Sequence, residues 1–140
     1  MTLFAYGTLR DADLRAAVLG RHVTLDPPTP ATAIGYRCVY LFHRFYPGLV
    51  KTRDSVAEGV LLSGLSAAAI ARLDAYEGDE YRRATLAVKT AKGDHIAHCY
   101  LPIVAPKPTA LSWTLAEWTT QHKRAALAAV IGEAGGEAEH

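Results

Sequence analysis

The sequence predicts an α+β fold built on a small, curled, largely antiparallel sheet. Two observations carry that expectation. Segments rich in β-branched and aromatic residues outnumber helical ones, and several of them are joined by turns of hairpin length, which disfavours a doubly wound α/β arrangement. With 140 residues, half of them hydrophobic, the chain can fill one core but not two. A single domain over residues 1–132 is therefore expected, followed by a flexible tail over 133–140.

Taken in order, "TLFAY" (2–6) reads as a short buried strand, and "YGTL" leads from it into a helix over 12–19. Asp11 is the N-cap of that helix, Leu14 and Val18 share one face, and Gly20 suits its stop. "DPPTP" (26–30) reads as a loop, because proline can neither continue a helix nor sit in a central strand. "ATAIGYRCVYLF" (31–42) and "EGVLLSGL" (58–65) read as strands, with "HRFYPGLVKTRD" (43–54) between them as a surface loop containing a brief extended piece. Ser66 caps a helix that runs to about Tyr76. "YRRATLAVKT" (81–90) and "HIAHCYL" (95–101) flank "AKGD", a hairpin signal. After the proline-punctuated "PIVAPKP", "TLAE" (114–117) forms a capping box, with Trp113 and Trp118 placed as its hydrophobic staple. One last helix is expected from about 115 to 131, stopping at Gly132, with "EAGGEAEH" as a frayed tail.

Composition excludes several functions. A formal net charge of +1, with no basic run, argues against nucleic acid. The longest apolar run is far short of the roughly 18 to 20 residues that span a bilayer, so no membrane association is expected. "MTLFAYGTLRD" has neither a basic n-region nor a small-residue cleavage site, and the only cysteines are Cys38 and Cys99. A cytoplasmic protein with two buried thiols follows as the expectation. No serine sits in a nucleophile elbow, and no phosphate-cradling glycine loop is present. His95 and His98, three apart in a strand, point to opposite faces, and no metal or other cofactor is signalled.

One acid stands out. With Ile70 as the reference direction and 100° per residue, Glu77 lies at about −20°, inside the arc of Leu73, Ala69 and Tyr76, whereas Asp74 at about +40° lies outside it. It is also at the helix C-terminus, where the dipole disfavours an acid. A carboxylate there must find a partner, keep its proton or face a cleft. A structural pair with Arg82, Arg83 or a tyrosine hydroxyl remains one reading and a site the other. "YGTL" offers the complement: a glycine after a strand and before a capped helix lets backbone N–H groups approach a ligand closely, unless it is an ordinary turn.

"FAYGTLR", "GYR", "YPGLV", "EGVLLSGL" and "LDAYEGDEYRR", in that order and spacing, resemble the γ-glutamylcyclotransferase-like family over about residues 2 to 101. The likeness is to its avirulence-induced-gene-like and γ-glutamylamine cyclotransferase branch. The resemblance implies a small mixed sheet or barrel with peripheral helices. It assigns Glu77 as general acid/base, Tyr6, Gly7, Thr8 and Leu9 as the substrate-holding floor, and Tyr81 as a pocket wall. It implies cyclisation of a small-molecule γ-glutamyl amine or amide to 5-oxoproline without a cofactor, by a monomer or weak homodimer. A non-catalytic metabolite binder and an amide hydrolase or acyltransferase using Glu77 stay open. Two positions depart from the family pattern: Gly48 stands where alanine is common, and Asp79 where proline is frequent.

Overall fold

The elements of the chain, in its computed structural model, are described for residues 1–20 and 23–138, with backbone alone over 133–138. The three apolar residues of β1 (Leu3–Ala5) are buried on both faces, Phe4 inside a barrel and Leu3 and Ala5 against helices outside it. A 3-10 turn (Thr8–Arg10) then leads into α1 (Ala12–Leu19), whose N-cap Asp11 accepts the Leu14 N–H at 2.9 Å.

Strands β2 (Thr29–Tyr40) and β3 (Pro47–Leu62) form a long antiparallel hairpin, paired from Tyr40↔Pro47 to Thr29↔Leu61 with an irregularity between Ile34 and Tyr36. This corrects two expectations. The segment 43–54 is not a surface loop: from Pro47 onward it belongs to β3, since pairing with β2 satisfies backbone groups that the local sequence leaves ambiguous. The 26–30 loop likewise ends early, because Thr29 and Pro30 already pair with Leu61 and Val60. Proline is accommodated at the strand's first residue in one case and near the strand end in the other.

Helix α2 (Ala67–Glu77) starts at Ser66, whose hydroxyl accepts the Ala69 N–H at 3.1 Å, and ends at Gly78 with φ 65°. A second 3-10 turn (Gly78–Glu80) delivers the chain to β4 (Tyr81–Thr90), which pairs along its length with β5 (Gly93–Pro102). The strand order β1-β3-β2-β4-β5 closes into a barrel. Its pairings are antiparallel except the last, the parallel Leu3↔His98 bridge between β1 and β5.

The expected C-terminal helix is in fact two, α3 (Leu115–Gln121) and α4 (Lys123–Ala138), broken at His122 with φ −128° and ψ −20°. The Thr119 and Thr120 hydroxyls donate back to the Leu115 and Ala116 carbonyls at 2.8 and 3.0 Å, contacts that bend helices. The His122 ring is drawn aside to stack on Phe45, centroids 4.1 Å apart. Thr114 caps α3 as expected, accepting the Glu117 N–H at 3.2 Å, and Trp113 and Trp118 pack together with Leu14 of α1. Backbone of α4 continues past Gly132, where a stop was expected; of the tail expected over 133–140, residues 139–140 lie outside the described residues.

Phe4, Tyr6, Leu49, Leu61, Leu86, Val88 and Cys99 are among the residues filling the barrel. A second cluster around Leu19, Leu62, Ile70 and Leu73 seats α1 and α2 on its outer wall. That second cluster fixes the end of α2 beside the start of the chain. No helix among the described residues is long and apolar enough to cross a membrane.

Candidate active site

Where α2 ends against the turn after β1, the surface sinks into a cavity of about 300 Å³. The structure brings all six residues singled out in the sequence to its walls: Tyr6, Gly7, Thr8 and Leu9 from the first turn, Glu77 from α2 and Tyr81 from β4. The glycine is required by close approach, since a Cβ at position 7 would lie 2.9 Å from the Pro47 ring. Thr8 and Leu9 precede the first hydrogen bond of their turn, Arg10 N–H to the Gly7 carbonyl at 3.1 Å, so their N–H groups lack an acceptor within it.

The tyrosines around the cavity have committed their hydroxyls. Tyr6 donates to the Tyr100 carbonyl at 2.5 Å, and Tyr81 to the Pro47 carbonyl. Tyr100 donates to Asp74 at 2.6 Å and Tyr46 to Glu80, while Tyr76 shares a hydrogen bond with Thr8 Oγ1 at 3.0 Å. Burial first, and nearby acidic groups second, push Tyr6 and Tyr81 well above the ordinary phenol range. Neither hydroxyl is poised to exchange a proton near neutrality.

Glu77 differs. Among the described residues its carboxyl makes no hydrogen bond or ion pair, and Arg83, one of the partners considered for it, is held instead by Asp74 at 3.1 Å. The residue as a whole is only half-buried because the cavity opens beside it, yet burial of its carboxyl pushes the pKa up to about 8. A carboxyl with that value gains and loses a proton at the working pH of most enzymes, as an acid/base catalyst must.

Sequence reasoning did not single out Tyr46, Tyr76 or Tyr100 as lining residues. Tyr100 was within reach: Ala97 and Cys99 point into the barrel, so β alternation sends Tyr100 to the outer, cavity side. Tyr46 enters only because β3 begins at the adjacent Pro47, a pairing invisible locally. Cys38 and Cys99 take no part in the lining, and burial raises both thiols, Cys38 to about 12. The groups of His, Cys, Asp and Glu among the described residues do not converge into a metal site.

Known proteins share this architecture. AIG2-like protein A of Arabidopsis thaliana is 30% identical over 125 residues, which cover 87% of this chain and 74% of that protein. A solution structure of an Arabidopsis thaliana protein superposes with a TM-score of 0.68 at 27% identity, over 89% of this chain and 83% of its own. A crystal structure of a Mus musculus AIG2-like protein gives 0.64 at 17% identity, over 81% and 84%, a likeness of fold. The family model described as "Gamma-glutamyl cyclotransferase, AIG2-like" matches residues 3–120. With that match over most of its length, the chain belongs to the γ-glutamyl cyclotransferase, AIG2-like family.

Proposed function

We propose that the chain cyclises a γ-glutamyl amine or amide to 5-oxoproline, releasing the free amine, with Glu77 as general acid/base. The observation that carries this reading is the Glu77 carboxyl, without a partner among the described residues, in the same cavity as the Tyr6–Leu9 turn. The nucleophile is the substrate's own α-amino group. Glu77, ionised, takes a proton from the α-ammonium; the freed nitrogen attacks the γ-carbonyl carbon, and a tetrahedral oxyanion forms. The bond from that carbon to the departing nitrogen breaks as Glu77 returns a proton to it. The ring nitrogen gives up two protons in all and the departing nitrogen gains two, so Glu77 ends each cycle as it began.

The remaining parts of the cavity fit this scheme. The Thr8 and Leu9 N–H groups would hold the α-carboxylate or the oxyanion, where one preorganised donor is worth about 3 to 4 kcal/mol. Tyr6 and Tyr81, their hydroxyls committed to backbone carbonyls, serve as rigid walls that fold the substrate toward ring closure. A cytoplasmic setting and action as a monomer or weak homodimer, without a cofactor, complete the proposal.

The experiment incubates the unmodified chain, Glu77→Gln and Glu77→Ala with a panel of γ-glutamyl amines and dipeptides and follows 5-oxoproline. Both variants should lose about 10² to 10⁴ in rate. Equal rates in all three proteins would remove Glu77 from the mechanism. Binding without turnover would instead favour a metabolite-binding protein, and solvent ¹⁸O in free glutamate an amide hydrolase.

A further inference from the structure

The cavity is graded from closed to open. Tyr6, Thr8, Leu9 and Pro47 are buried, Glu77 and Tyr81 half-buried, and Gly78, Asp79 and Glu80 exposed at its mouth. Its volume, about 300 Å³, is at the small end for ligand sites, which run from roughly 300 to 1,000 Å³. A γ-glutamyl group whose reacting atoms reach Glu77 therefore sends its departing amine out past the 78–80 turn.

The charges met on that path have one sign. The ionisable acids lining the cavity are Glu77, Asp79 and Glu80, and among the described residues no lysine, arginine or histidine lines it. Two acids in the neighbourhood are already answered. Glu80 is held by Arg44 at 3.3 Å and by the Tyr46 hydroxyl, and Asp74 by Arg83 and Tyr100. Asp79 has no ion pair among the described residues. It is also the position at which this sequence carries an acid where its family resemblance leads one to expect proline.

We infer that Asp79 sets the leaving-group specificity of this site, favouring amines that carry a second positive charge and disfavouring those that carry a carboxylate. The inference rests on the cyclotransferase reading for the word "leaving", but the charge preference belongs to the cavity itself. A cation on a short aliphatic arm passing Asp79 gains an exposed ion pair, whereas a carboxylate meets a like charge there, and Arg44 nearby is already paired with Glu80.

The test compares three γ-glutamyl amides of matched length, made from 1,5-diaminopentane, pentylamine and 5-aminopentanoate. The ratios of kcat/KM on the unmodified chain should follow the order cation, neutral, acid, each step about two- to fivefold, the size of one exposed ion pair. Asp79→Asn should collapse those ratios, Asp79→Glu should restore them, and about 0.5 M salt should compress them in the unmodified chain. Ratios that are the same in Asp79→Asn and the unmodified chain would overturn the inference. If none of the three amides yields 5-oxoproline, the cyclotransferase reading fails separately, and calorimetric Kd values for the same compounds decide the charge preference. A preference in binding that Asp79→Asn removes would uphold it; equal or absent binding would overturn it.

Discussion

Glu77 ends α2 with a carboxyl whose burial raises its pKa to about 8, so across most of the neutral range it carries a proton. Two expectations follow. Because the proposed reaction begins with ionised Glu77, kcat/KM should climb as pH rises through about 8, a limb that Glu77→Gln should lose. The stability effect has the opposite sign. Folding raises this pKa, so the folded chain holds the proton more tightly than the unfolded chain and loses stability as pH rises from the unfolded value, 4.5, through about 8. Glu77→Gln should therefore melt higher than the unmodified chain at pH 9 and close to it at pH 4. The full shift at ~1.4 kcal/mol per unit would exceed 4 kcal/mol. Partial exposure at the cavity reduces the expected gain to ~2 kcal/mol, readable by thermal melts across that range.

Among the elements, the long β3 strand shows what local sequence can and cannot tell. The caps Asp11 and Ser66, the 81–102 hairpin and the inward angle of Glu77 were legible because each rests on contacts a few residues apart. The first half of β3 was not, because "YPG" carries turn residues whose reason is distant. Gly48 is dictated by packing: a Cβ there would lie 2.7 Å from Leu41 Cδ2 and closer still to the Pro102 ring. Gly48→Ala, though it installs the residue common in the family, should cost ~1 to 3 kcal/mol, measured by urea unfolding. A loss below ~0.5 kcal/mol would mean that Pro102 yields without strain. The α3–α4 break escaped for a similar reason, since the ring stack of His122 on Phe45 joins residues remote in sequence. The six residues expected at the candidate site could be named from motif and helical angle and Tyr100 from strand alternation, whereas Tyr46 depended on strand register.

For the molecule as a whole, a tightly packed aromatic cluster lies apart from the candidate site. Trp118, fully buried with Trp113 and Leu14, joins α1 to the C-terminal helices and does not line the cavity. Trp118→Ala should cost ~3 to 5 kcal/mol in denaturant unfolding. Below its lowered melting temperature the variant should keep the kcat of the unmodified chain; a large fall in kcat there would show that the C-terminal helices shape the site.

The Leu3↔His98 bridge, the seam at which β1 meets β5 to close the barrel, also sets an order in time. Contacts between residues so far apart in sequence form after the loop entropy between them has been lost, and this slows folding. The cavity takes Leu3, Phe4 and Tyr6 to Leu9 from one side of that seam and Tyr100 from the other. A chain that has not yet joined its first strand to its fifth has residues of the site but no site. In refolding followed by stopped flow, recovery of ligand binding should thus track the slowest phase and lag formation of the 81–102 hairpin, whose partners are neighbours. A newborn chain would acquire the floor, Glu77 and the rim of its candidate site in that order, and the complete cavity only at the moment the ring closes.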